Sequence, residues 1–115
     1  WYLRNMYFEN NLRVPGKLTM CGTKVDLGAI DLPSYVLATQ EDHIVPWRSA
    51  YRTTGLTSGK TEFVLGASGH IAGVINPASK NKRNYWTNTQ VPASAEDWLA
   101  GATESRGSSR VSAIR

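Results

Sequence analysis

The stretch LGASGHIAG, residues 65–73, sets His70 among glycines and alanines. Few side chains here are large enough to bury an imidazole, so the ring is free to reach a reactive partner. Upstream, TQEDHIVPW places Glu41, Asp42 and His43 side by side. A carboxylate next to an imidazole fixes its tautomer and stabilises the imidazolium formed when the ring accepts a proton. Asp42 and His70 are therefore candidate catalytic residues for base-assisted nucleophilic chemistry. The plainer alternative is that Asp42 caps a helix beginning near Pro46 and that His70 is a turn residue.

Such chemistry also needs a nucleophile. The chain has one cysteine, Cys21, and the order Cys, Asp, His suits a triad. A nucleophile elbow requires glycine two residues before and after the thiol, on a sharp strand-to-helix turn. Thr19 and Thr23 stand there instead, and a strand-like run follows. Cys21 reads more simply as a small buried thiol. Ser68, in GASG, has the wrong spacing for a serine elbow. The nucleophile is missing from these residues.

The elements that would position the pair can be read from pattern. Tyr35 to Ala38 is an apolar run expected to form a strand covered on both faces, with Pro33 at its start. WRSAYRTTGL, residues 47–56, suits a short helix after Pro46 with Gly55 near its end. TEFVLG, residues 61–66, is a second buried-type strand, and His70 follows it closely. The middle of the chain thus reads as a parallel β-α-β unit with Asp42 and His70 just past the carboxyl ends of its strands, the edge where open α/β sheets gather their chemistry. Parallel strands lie about 5 Å apart, so adjacent loops can bring the two groups together.

Around this unit, Leu3, Met6, Tyr7 and Phe8 predict an opening helix with one packed face, stopped by the turn VPGK. KLTMCGTKVDL predicts a hairpin about Cys21 to Thr23. NPASKNKRNYW reads as a polar, basic loop. Ser94 and Asp97 form a capping box for a helix through Trp98 and Leu99, ending near Gly101. The residues beyond Thr103 are small, polar and basic, and are expected to be frayed or disordered.

Composition bounds the rest. With 115 residues, 41% hydrophobic and 19% charged, the chain is one globular domain or part of one. No apolar run reaches the ~20 residues of a membrane span. One cysteine excludes an intrachain disulfide and suits a reducing cytosol. The net charge of +4 favours an anionic ligand, with Lys80, Lys82 and Arg83 clustered and Arg106, Arg110 and Arg115 in the tail. It is too small and scattered to argue nucleic-acid binding. The start at Trp1, without an initiator methionine and in mid-pattern, reads as a chain whose upstream part is missing.

The motifs EDHIVPW and FVLGASGHIAGVINP resemble those of the poly(3-hydroxyalkanoate) synthases, particularly the class I type. The resemblance extends through WYLRNMYFENNLRVPGKL, KNKRNYW and AEDWLAGA, from Trp1 to about Ala102. It implies the C-terminal part of an α/β-hydrolase fold over residues 1–103, with 1–32 from its cap region and 104–115 a disordered or atypical tail. It also implies an acyltransferase that polymerises (3R)-3-hydroxyacyl-CoA with release of CoA, through a Cys-His-Asp triad whose cysteine lies upstream. His70 matches the family histidine and Asp42 the family aspartate. His43 and Asn10 are similar to residues lining the substrate passage. CoA enters as a thioester substrate, with no cofactor and no metal expected.

The implied partners are the thioester, the growing polyester, the upstream remainder of the domain and a second subunit in a homodimer, at the surface of a cytoplasmic polymer granule. Lys80, Lys82 and Arg83 lie close enough after the histidine loop to meet CoA phosphates. This segment alone is expected to be inactive. Two alternatives stand beside that reading: another α/β-hydrolase, such as an esterase or depolymerase, and a non-catalytic relic that binds CoA esters or granules. The tail TESRGSSRVSAIR departs from the family, which continues into an aromatic-rich stretch.

Overall fold

The computed structural model describes residues 1–109. Its centre is a four-stranded sheet in the order β3-β4-β5-β6, beside a small hairpin, β1-β2. β3 (Ser34–Thr39) and β4 (Thr61–Gly66) are parallel, with Ser34 opposite Thr61 and Thr39 opposite Gly66. The crossover between them contains α1 (Trp47–Tyr51), so the β-α-β unit forms as its pattern predicts. α1 is shorter than expected, and Arg52–Gly55 tightens into a 3-10 turn. The Thr54 hydroxyl donates to the Tyr51 carbonyl at 2.8 Å, drawing the chain out of α-helical pairing.

The core lies on one face of this sheet. Phe63 of β4 is fully buried between Tyr51 and Trp98, each ring meeting it edge to face at 4.8 Å. Trp98 comes from α2 (Ala95–Ala100), which starts where the Ser94 hydroxyl accepts from the Asp97 amide. Ala38, Trp47, Leu65 and Ala95 complete the cluster. β4 is covered on both faces, as its apolar run predicts, with Phe63, Val64 and Leu65 all at 0% exposure. β3 is not. It forms the sheet edge, Tyr35 is exposed, and Val36 and Leu37 are half-buried.

Four further expectations are corrected. The opening segment is a π-helical turn, Leu3–Phe8, with no buried residue. The Asn5 side-chain amide donates to the Trp1 carbonyl and the Glu9 amide closes on Arg4. Without a packing partner, a segment this short gains too little to hold regular α-helix. Cys21 is exposed, because Cys21 and Gly22 both adopt positive φ (48° and 79°) in the tight turn joining β1 (Thr19–Met20) to β2 (Thr23–Lys24).

The polar run before Trp86 is not all loop: β5 (Asn84–Thr87) pairs antiparallel with β4. Finally, Thr103–Arg106 forms β6, antiparallel to β5, and Ser108 and Ser109 are buried. The edge of β5 supplies unpaired amides and carbonyls, which a polar segment satisfies as well as an apolar one. The rest of the expected disordered tail, with Arg110 and Arg115, lies outside the described residues. Among the described residues no helix is long and apolar enough to cross a membrane.

Candidate active site

β3 and β4 end side by side, and backbone hydrogen bonds stitch the loops that follow. The Gln40 amide donates to Gly66 at 2.8 Å and the Glu41 amide to Ser68 at 3.0 Å. From these loops Asp42 and His70 meet: His70 Nδ1 lies 2.7 Å from Asp42 Oδ2. Asp42 Oδ1 accepts from the Ile44 and Val45 amides, both at 2.9 Å. The alternative role is thus also partly realised, since the carboxylate ties down its own loop. It does not cap α1, whose N-cap residue is Pro46, with no side-chain cap.

The Val45 amide, with further help from His70 and the Ile44 amide, holds the Asp42 carboxyl at a pKa of about 2, against the desolvation that would raise it. Asp42 is therefore an anion at neutral pH. Next to it, Nδ1 of a neutral His70 carries the proton and Nε2 carries the lone pair. The Asp42 side chain is 9% exposed and that of His70 44%, so the acceptor is sheltered and the ring remains open to a reactant. No other polar contact of His70 exists among the described residues.

Gly73 closes the histidine loop on the end of β3. A Cβ at position 73 would lie 2.4 Å from Thr39 Cγ2 and 2.9 Å from the carbonyl oxygens of Ala67 and Gly69. The loop can turn this sharply over Thr39 only without that atom. Thr39 itself is buried, with its hydroxyl unpartnered.

The other anticipated residues are not drawn to the pair. His43 is exposed beside Asp42 and hydrogen-bonds neither it nor His70. Asn10 is exposed in the opening segment, in a left-handed conformation (φ 49°) that starts the turn Asn11–Arg13. Its neighbour Asn11 is the buried one, donating to Asn5 Oδ1 and Glu9 Oε2. Cys21 occupies the β1–β2 turn and contacts neither member of the pair in any hydrogen bond.

Pattern reading passed over Asn76, which is buried where the basic loop begins. Its amide donates to the Lys82 carbonyl at 2.8 Å and to Gly107 at 3.4 Å. The one available signal was an Asn-Pro step, which marks a turn and not a buried pin.

No protein-family model matches the chain. Individual proteins do. Over 108 residues, 94% of this chain, it is 61% identical to the poly(3-hydroxyalkanoate) polymerase subunit PhaC of Cupriavidus necator. It is 44% identical over the same length to the corresponding subunit of Rhizobium meliloti. Poly(3-hydroxyalkanoate) polymerase 1 of Ectopseudomonas oleovorans is 40% identical over 102 residues. The chain spans only 18% of each of these relatives. Its motifs thus match one segment of the poly(3-hydroxyalkanoate) polymerases, as the resemblance in sequence implied.

Proposed function

We propose that this chain, which matches a segment of the poly(3-hydroxyalkanoate) polymerases, supplies the base and its orienting carboxylate to an enzyme that polymerises (3R)-3-hydroxyacyl-CoA. One observation carries the reading: a sheltered, ionised Asp42 holds His70 Nδ1 at 2.7 Å while the ring stays open on its other side. The nucleophile is a cysteine on a part of the polypeptide outside this segment, in an α/β-hydrolase fold whose acid and histidine loops are those described.

In the first step His70 Nε2 takes the thiol proton, and the thiolate attacks the carbonyl carbon of the thioester. A thiol of pKa ~8.5 gains most from such a base at neutral pH. The C–S bond to CoA breaks, and the leaving thiolate recovers the proton from the imidazolium. In chain growth the same base takes the proton of a 3-hydroxyl, whose oxygen attacks the acyl thioester on the cysteine; the ester bond forms as that C–S bond breaks, and the released cysteine thiolate takes the proton back from the imidazolium. Asp42 stabilises the imidazolium in both steps. CoA is a substrate throughout, and the segment alone is inactive. His43 and Asn10 line the substrate passage, the polymer grows at a cytoplasmic granule surface, and the assembly is a homodimer; these three points rest on the resemblance.

A chimera tests this directly. The chain replaces its 61%-identical counterpart in the Cupriavidus necator polymerase, and CoA release from (3R)-3-hydroxybutyryl-CoA is measured. The chimera should turn over, and His70→Ala should reduce the rate about a thousandfold or more. A folded chimera without turnover, or one indifferent to His70→Ala, overturns the proposal.

A further inference from the structure

We infer that Asn76 is a positioning residue for His70: it locks the far end of the histidine loop to the sheet and so keeps the imidazole aimed. The inference rests on the reading of His70 as the base and adds how a loop of small residues holds that base still.

Little else holds this part of the loop. Its large side chains face outward, with Ile71 68%, Val74 38% and Ile75 65% exposed. Between His70 and Pro77 only Gly73 and Asn76 are buried. Glycine brings no side chain to pack and leaves the backbone its widest freedom, so apolar burial does not fix the segment. His70 has one polar contact among the described residues, to Asp42 on the neighbouring loop. A single hydrogen bond at Nδ1 sets one distance, whereas a working base must be held within about 0.5 Å in all directions.

The loop is tied at both ends to the same pair of strands. At its start Gly66 pairs with Tyr85 of β5, and the Ala67 amide donates to the Asn84 carbonyl at 2.9 Å. At its finish the Asn76 side-chain amide donates to the carbonyls of Lys82 at 2.8 Å and Gly107 at 3.4 Å. Those two carbonyls lie just before β5 and just after β6. The Ser108 hydroxyl donates to the Asn76 main-chain carbonyl. Between the two ties the chain is a run of turns, with the Gly73 amide donating to Gly69 and the Ile75 amide to Ile71, both at 2.9 Å. These bonds carry the position of Asn76 back to Gly69 and Ile71, the two neighbours of His70.

The receiving side is held in costly backbone. Asn81 and Arg83 have φ of 45° and 68°, a region that non-glycine residues occupy only where their surroundings enforce it. Gly107, at φ 115°, closes on the same place: its amide donates to the Arg83 carbonyl at 2.9 Å, and a Cβ there would lie 2.9 Å from Asn81 Oδ1. Strain of this kind persists where a geometry must be kept closely. The geometry kept here is the seat of the Asn76 side chain.

The chimera described above gives the test. Asn76→Ala should lower kcat for (3R)-3-hydroxybutyryl-CoA roughly ten- to a hundredfold, the cost of a base displaced by about 1 Å, and leave KM within about twofold. In the His70→Ala background the same substitution should change the residual rate by less than about twofold, because no ring is left to position. A role confined to folding would lower the rate by the same factor in both backgrounds. Ser108→Ala removes only a hydroxyl from the cluster and is the milder companion: kcat should fall roughly three- to tenfold, again only when His70 is present. An unchanged kcat in both variants, an equal fall with and without His70, or unfolding of both variants overturns the positioning role and leaves the base reading intact. A chimera that does not turn over, or is indifferent to His70→Ala, overturns the base reading and the positioning role with it.

Discussion

Asp42 does two jobs with two oxygens: Oδ1 holds the Ile44 and Val45 amides and Oδ2 holds His70. Asp42→Asn separates them. An amide keeps its one oxygen as acceptor for the loop but then turns its NH2 donor to His70 where an anion should sit, so it cannot stabilise an imidazolium. The chimera's turnover should fall about a thousandfold or more while the protein stays folded at the assay temperature with a modestly lowered melting temperature. An activity loss matched by unfolding would make Asp42 a loop residue only. The same carboxyl sets an acid limit. Its pKa falls from 3.8 to about 2 on folding, so between those values the unfolded chain binds more protons and stability rises with pH. The contribution is complete above about pH 4 and is lost as the pH falls toward 2. Denaturation midpoints measured from pH 6 down to pH 2 should therefore show a steeper acid decline for the parent than for Asp42→Asn. Parallel declines would mean the carboxyl is not depressed in the folded state.

Among the elements, what was legible in sequence was what is encoded locally. β3, α1, β4 and α2 announce themselves by apolar runs, a proline at a helix start and a Ser94 cap, and with them came the placement of Asp42 and His70 at one sheet edge. What escaped depended on partners far along the chain. β6 reads Thr-Glu-Ser-Arg, with no alternation to betray a strand, and exists because β5 offers it an edge. The opening aromatic pattern predicts a packed face, but among the described residues none of Leu3–Phe8 is buried, and Cys21, a residue type that favours the core, is exposed because its turn requires positive φ. The histidine loop has a clear steric rule. Gly73→Ala puts a methyl against Thr39 Cγ2 and two backbone carbonyls that cannot swing aside. It should cost about 1–3 kcal/mol in denaturant unfolding. Gly69→Ala meets only the Glu41 carbonyl, at 3.8 Å, and should be nearly neutral. Equal effects at the two positions would refute the account of the loop.

At the scale of the molecule, surface area is the informative quantity. A free-standing domain of 12.7 kDa exposes about 6,200 Å2; this chain exposes 7950 Å2. Its radius of gyration is 15.8 Å, where about 13 Å is expected for its length. The excess of about 1,700 Å2 is the size of a standard protein interface counted over both partners. Much of it is apolar and lies in two places. Trp1, Tyr2, Leu3, Tyr7 and Phe8 are each more than 60% exposed, and Ile44, Val45, Ile71 and Ile75 are exposed on the two loops that carry Asp42 and His70. Among the described residues β3 adds an outer strand edge of the sheet. Exposed apolar surface next to a free edge favours association. The isolated chain should therefore sediment as concentration-dependent oligomers and enhance the fluorescence of a hydrophobic dye. Placed in the Cupriavidus necator polymerase in place of its counterpart, the same residues should lose most of that dye signal. A monomer that unfolds cooperatively and ignores the dye would show that the apolar rim and the β3 edge are tolerated as free surface. The Asp42–His70 pair would then have to work without a covering partner.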